Sequence, residues 1–210
     1  MTTIAVVDYG MGNLRSVAKA LEHVAPKARV VVTSSAKDIA AANRIVFPGQ
    51  GAARDCMANL RSHDLIESVG DAFKNKPFLG ICMGLQVLFE LSDENGGVAC
   101  LSYIDGKVTR FERNAVNCGS KVPHMGWNQV SRTSEHKLWH NIEDKSRFYF
   151  VHSYYVEPQN PEVVSGTTSY LLDFCSSIAN DNIFATQFHP EKSADCGLQL
   201  LKNFTQWQPT

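Results

Sequence analysis

The pattern of apolar and polar positions changes character about halfway along the chain. In the first half, short apolar runs alternate with segments of helical period. Ile4 to Tyr9 reads as a strand, and Leu14, Val17, Leu21 and Val24 then recur at helical spacing before a second strand from Arg29 to Thr33. A short helix around Lys37 to Ala42 leads to a strand from Arg44 to Phe47 and the Pro48-Gly49-Gln50-Gly51 loop. Helical stretches around Ala53 to Leu60 and Leu65 to Lys74 precede an apolar run, Phe78 to Ile81, that reads as a buried strand, and Met83 to Leu91 reads as a helix after it. This order predicts an α/β fold: three layers, with a mostly parallel sheet flanked by helices on both faces. After Gly96-Gly97 the pattern shifts to short strands with turn residues between them, including Phe148 to His152 and Ile183 to Phe188, which predicts antiparallel additions. Leu198, Leu201, Phe204 and Trp207 mark a last amphipathic helix. No repeat, low-complexity tract or linker divides the chain, so a single domain over residues 1–210 is expected.

Composition narrows the class. The 210 residues suffice for one well-buried α/β domain and are short for two. A net charge of −1 with interspersed charges argues against a nucleic-acid or membrane surface. No apolar stretch approaches the ~20 residues needed to span a bilayer. A start of Met1-Thr2-Thr3 followed at once by a strand leaves no room for a signal peptide. Six cysteines, at positions 56, 82, 100, 118, 175 and 196, are scattered without C-x-x-C pairs. They fit a reducing, cytoplasmic setting and speak against a disulfide framework or a metal site, and no cofactor is expected. Core or loop placement is the default for Cys118 and Cys175.

Candidate chemistry concentrates at Cys82. It stands between the Phe78–Ile81 strand and the following helix, with Gly80 and Gly84 two residues away on either side. That arrangement predicts a tight strand-to-helix turn that pushes the thiol out at the sheet's carboxyl edge. The first N–H groups and the dipole of the helix would favour a thiolate and a developing oxyanion, with the Met83 N–H one natural donor. A thiol needs a base, and the base needs a partner that fixes its tautomer. His189 ends a β-rich segment and is followed by Pro190 and Glu191. In an extended segment His189 and Glu191 would share one side, so Cys82, His189 and Glu191 supply nucleophile, base and orienting acid. Gln86, four residues after Cys82, falls on the same helix face within reach of a bound substrate.

The motifs Gly80-x-Cys82-x-Gly84-x-Gln86, Pro48-Gly49-x-Gly51 and His189-Pro190-Glu191 resemble those of the class I (triad) glutamine amidotransferases, whose fold is flavodoxin-like. Pro123-His124-Met125-Gly126-Trp127-Asn128, Phe150-Val151-His152-Ser153-Tyr154 and Asp8-Tyr9-Gly10-Met11-Gly12-Asn13 narrow the resemblance to the glutaminase subunits of imidazole glycerol phosphate synthases, from about residue 4 to residue 204. The resemblance implies hydrolysis of L-glutamine to glutamate and ammonia in histidine biosynthesis. It implies an oxyanion site of backbone N–H groups at Met83 and within Gly49-Gln50-Gly51, although members often carry a small aliphatic residue where Gln50 stands. It also implies an ammonium acceptor at Glu94 and a pocket wall at Ser153 and Tyr154. A docking face formed by Pro123, His124, Met125, Trp127 and Tyr149 would meet a (β/α)₈ cyclase subunit in a heterodimer. The alternatives are another triad glutaminase, such as one feeding pyridoxal phosphate synthesis, a cysteine peptidase, or an inactive amidotransferase-like regulatory scaffold. The Pro123–Asn128 block speaks against the first two, and the intact Cys82, His189 and Glu191 against the last.

Overall fold

A computed structural model describes residues 1–112 and 121–209; Cys118 lies outside the described residues. The first half follows the predicted alternation. Strand β1 (Thr3–Val7), helix α1 (Leu14–Val24), strand β2 (Arg29–Thr33), helix α2 (Ala36–Ala41), strand β3 (Arg44–Gly49), helices α3 (Ala53–Ser62) and α4 (Ile66–Asn75) and strand β4 (Phe78–Cys82) come in that order. Strands β2, β1, β3 and β4 lie side by side and parallel, and β14 (Ile183–Thr186) joins them parallel to β4. Every residue of β3 and of β4 is buried, as strands covered on both faces must be.

Further strands extend the sheet on one side: β13 (Asp173–Asn180) pairs antiparallel with β14 and with β12 (Val164–Ser169), which also pairs with β9 (Ser131–Arg132). Strand β11 (Tyr154–Pro158) pairs antiparallel with both β13 and β7 (Gly106–Arg110), and β5 (Leu91–Ser92) joins β7 to β6 (Val98–Ala99). A separate two-stranded antiparallel sheet joins β8 (His124–Gln129) to β10 (Arg147–His152). The apolar residues form two clusters, one on each face of the main sheet. On one face β1, β3 and β4 pack against α2, α3 and α4; on the other they pack against α1, the last helix α6 (Ala194–Gln206) and the inner side of β10. That is the three-layer arrangement the pattern predicts.

Several boundaries differ from the sequence reading. Strand β1 stops at Val7, and Tyr9 lies beyond it with its hydroxyl donating to the Pro48 carbonyl at 2.9 Å. Strand β3 runs on through Pro48-Gly49, because Pro48 and Gly49 pair in register with Ile81 and Cys82; the loop proper starts at Gln50. The helix expected over Met83 to Leu91 is only Met83–Gln86 (α5). Leu85, Val87, Leu88 and Phe89 are all fully buried, so no solvated face exists to sustain a surface helix. The chain turns instead, and the Val87, Leu88 and Phe89 carbonyls accept from the N–H groups of residues 101 to 104. Trp207 caps α6 rather than belonging to it, and it is buried. Cys175 sits inside β13 with its thiol pushed up to about 12 by burial, an inert core cysteine. Among the described residues no helix is long and apolar enough to cross a membrane.

Candidate active site

Cys82 is the last residue of β4 and the residue from which α5 springs. Its backbone sits at φ +56°, ψ −107°, a conformation L residues rarely adopt and that costs on the order of 1–3 kcal/mol. Glycine on either side makes the turn possible. A Cβ at Gly84 would run into the Phe47 carbonyl, and one at Gly80 would lie 2.7 Å from the Gly84 carbonyl and 2.9 Å from the Ala185 Cβ. The surrounding strands over-determine the strained residue, and the thiol opens into a cavity of about 440 Å³ at the carboxyl edge of the parallel strands. Because α5 is only four residues long, its dipole is small; the first-turn N–H groups are what the turn offers a developing anion.

His189 is held on both sides. Its N–H donates to the Tyr149 carbonyl of β10 at 2.9 Å, and its carbonyl accepts from the Ser193 hydroxyl at 2.6 Å. Its Nδ1 lies 2.9 Å from Glu191 Oε1, with both side chains buried. The pair forms by a different route from the one expected: residues Pro190–Lys192 make a 3₁₀ turn, and that turn, not an extended strand, folds the carboxylate back onto the ring. The buried carboxylate fixes the tautomer with the proton on Nδ1 and leaves Nε2 as the basic atom. Nε2 is buried with no hydrogen-bond partner among the described residues. Burial alone would lower the His189 pKa. The neighbouring Cys82 sulfur, then the hydrogen bond and charge of Glu191, outweigh this and raise it to about 10. These surroundings therefore favour the protonated ring beside the Cys82 sulfur.

The cavity brings together most of the expected residues: Gln50, Gly51, Cys82, Met83, Gln86, Glu94, Ser153, Tyr154 and His189 all line it, with Pro123 and Tyr149 at its rim. Gly49 lies just beneath, in the ladder beside Cys82, where a Cβ would collide with the Tyr9 hydroxyl. Glu94 lines the cavity while its Oε2 accepts from the Ala53 N–H at 2.6 Å, capping α3 and leaving Oε1 for a ligand. Gln86 differs from the expectation of a side chain simply reaching for substrate. It is buried, and its Nε2 donates to the Tyr154 carbonyl at 3.0 Å and to Gln187 Oε1 at 2.9 Å; only Oε1 remains for a ligand.

On the two-stranded sheet, alternation sorts the docking residues. Met125 and Trp127 are 62% and 44% exposed, and Trp127 meets Tyr149 directly across the ladder, edge to face. His124 is a correction to the expected docking face. It is buried on the inner side, stacked on Phe150 and Tyr170, because odd positions of β8 point outward and even ones inward.

Gln187, His152 and Lys192 were not singled out from the sequence, yet each stands at the site. Gln187 Nε2 donates to Cys82 Sγ at 3.6 Å. The same two-residue alternation that pairs strand positions would have put Gln187 beside His189. His152 and Lys192 line the cavity, and the Lys192 ammonium lies 6.0 Å from the Tyr149 ring centroid. Another cavity, of about 530 Å³ beside His136 and Trp207, has no Cys, Ser, Thr or Tyr among its lining residues.

Comparison with known proteins decides the family. The model of the family "Glutamine amidotransferase class-I" matches residues 5–207. The chain is a class I glutamine amidotransferase. Among curated amidotransferase relatives, an imidazole glycerol phosphate synthase subunit HisH from Thiobacillus denitrificans is 58% identical over 98% of this chain and 92% of its own length. One of the same name from Nitrosomonas europaea is 55% identical over the full length of both chains. Among solved structures, a glutamine amidotransferase (TM-score 0.71, 16% identity, 96% of this chain and 98% of that one) shares the fold. So does PurLQS from Thermotoga maritima (TM-score 0.72, 16% identity, 98% of each chain).

Proposed function

We propose that Cys82, His189 and Glu191 hydrolyse L-glutamine, and that this amidotransferase chain is the glutaminase subunit of an imidazole glycerol phosphate synthase in histidine biosynthesis. The observation that carries the chemistry is the unpartnered Nε2 of His189, with Nδ1 fixed by Glu191, beside a thiol on a strained turn. The relatives named HisH, at 55–58% identity over nearly the whole chain, support the pathway.

His189 takes the Cys82 proton, and the thiolate attacks the carboxamide carbon of glutamine. The tetrahedral oxyanion is met by the Met83 N–H and by a backbone N–H of the Gly49-Gln50-Gly51 segment. His189 then gives its proton to the departing ammonia, which leaves a γ-glutamyl thioester on Cys82. Water, deprotonated by the same histidine, attacks the thioester and releases glutamate and the free thiol. Glu94 Oε1 suits the substrate ammonium, and Gln86 Oε1 and the backbone of Ser153 and Tyr154 complete the pocket. Ammonia passes to a (β/α)₈ cyclase subunit docked over Met125, Trp127 and Tyr149, with Pro123 at the rim. That subunit uses it to form imidazole glycerol phosphate and an aminoimidazole carboxamide ribotide.

Two expected results follow from this reading. Adding the cyclase subunit and its nucleotide ligand should raise glutamine hydrolysis by about tenfold or more, the scale of ordinary coupling between sites. Equal turnover by the free chain and the complex would contradict the docking assignment. Glu191→Gln should lower kcat by roughly 10- to 1,000-fold, less than loss of the nucleophile. Glu191 helps raise the His189 pKa, so this variant should also move the basic limb of the rate–pH profile to lower pH. An unmoved basic limb would remove Glu191 from the triad.

A further inference from the structure

A continuous run of hydrogen bonds links β8 to the nucleophile, and only one placement of its protons is consistent. The Asn128 amide is fixed in orientation, since its Oδ1 accepts from the Gln129 N–H at 2.8 Å and its Nδ2 donates to the Ser169 carbonyl at 2.9 Å. Nδ2 also lies 3.3 Å from His124 Nε2, so that nitrogen accepts and His124 carries its proton on Nδ1. His124 Nδ1 lies 2.9 Å from His152 Nε2, which therefore accepts as well. His152 Nδ1 then carries the proton and donates to the Tyr154 carbonyl at 2.7 Å, an oxygen that can only accept. Burial lowers both rings, His124 to about 4 and His152 to about 3, so both are neutral at neutral pH and the tautomers hold.

The Tyr154 carbonyl also accepts from Gln86 Nε2, and the other Nε2 hydrogen of Gln86 goes to Gln187 Oε1. Gln187, fully buried, has its Nε2 turned to Cys82 Sγ. If the Tyr154 carbonyl shifts, Gln86 can release Gln187, whose amide is then free to rotate its donor away from the sulfur.

We propose that His152 is a positioning residue of the glutaminase reaction: its Nδ1–H fixes the Tyr154 carbonyl and, through Gln86 and Gln187, the orientation of the Cys82 thiol. This rests on Cys82 being the nucleophile. A side chain that donates from the Nδ1 position should keep the relay, and one of equal polarity that cannot should lose it. Asparagine places its amide nitrogen where Nδ1 stands, whereas glutamine places its amide near Nε2.

The test compares His152→Asn and His152→Gln with the unaltered chain, each in complex with the cyclase subunit. Steady-state glutamine hydrolysis is measured, together with the rate at which a glutamine-analogue electrophile labels the Cys82 peptide. His152→Gln should lose about tenfold in kcat and in labelling rate, the scale of one buried hydrogen bond. His152→Asn should stay within about threefold of the unaltered chain. Equal rates in His152→Gln and the unaltered chain, or an equal loss in both variants, would overturn the proposal. If His152→Gln fails to fold, His152→Leu, which removes the donor at the same place, serves with the same expected loss. Failure of the electrophile to label Cys82 in the unaltered chain would instead refute the nucleophile.

Discussion

Cys82→Ala is expected to lower glutamine hydrolysis by about four orders of magnitude or more, because no other cysteine is among the residues lining the cavity. The nearest other cysteine in the sequence, Cys100, has its thiol pushed up to about 11, chiefly by burial, and is absent from the cavity lining. The variant should keep its fold, since alanine removes one atom from a strained residue and leaves Gly80 and Gly84 in place. In complex with the cyclase subunit it should still support synthesis from added ammonia, because the chemistry lost is confined to releasing ammonia from glutamine. Paired assays of glutamine-dependent and ammonia-dependent synthesis read both effects. Loss of both would mean that Cys82 also holds the structure together, and loss of neither would remove it from the reaction.

Gly84→Ala is expected to damage the chain by a different route, through its stability. The added Cβ meets the backbone carbonyl of Phe47, in a central strand whose residues are all buried, so no flexible side chain can move aside. Overpacking of this kind costs about 3 kcal/mol. For a domain of this size the midpoint of thermal unfolding should fall by roughly 6–12 °C. Because Gly84 belongs to the turn that aims Cys82, hydrolysis should fall even in the fraction that stays folded. Gly96→Ala is the control: its Cβ would meet nothing within 4 Å, so only the positive φ of +83° opposes it, at about 1 kcal/mol. Thermal unfolding of both variants checks the contrast, and a Gly84→Ala midpoint no lower than that of Gly96→Ala would contradict the packing argument.

The strength of the Cys82 signal explains why the strained strand-to-helix turn was legible in the sequence. An apolar strand, flanking glycines at two-residue spacing and a following helical turn leave few backbone solutions other than a tight elbow. The length of α5 was not legible, for a matching reason. Leu85, Val87, Leu88 and Phe89 are buried on all sides, and an apolar run without a polar face looks the same whether it continues as a helix or turns. Glu191 was found for a reason the structure revises, since a 3₁₀ turn rather than strand alternation brings it to His189. His124 was misplaced because its motif marks a surface segment while its own position falls on the buried side of β8. The relay through His152 depends on pairing residues 28 positions apart, which one sequence does not reveal.

The central claim is that Cys82 is the thiol that attacks glutamine. Labelling the chain, in complex with the cyclase subunit, with a glutamine-analogue electrophile and mapping the adduct by peptide mass spectrometry tests it most directly. The account predicts one label per chain, on the Cys82 peptide, slowed by added glutamine and absent in Cys82→Ala. A label on another cysteine, or a Cys82 that stays unmodified while glutamine is hydrolysed, would contradict it.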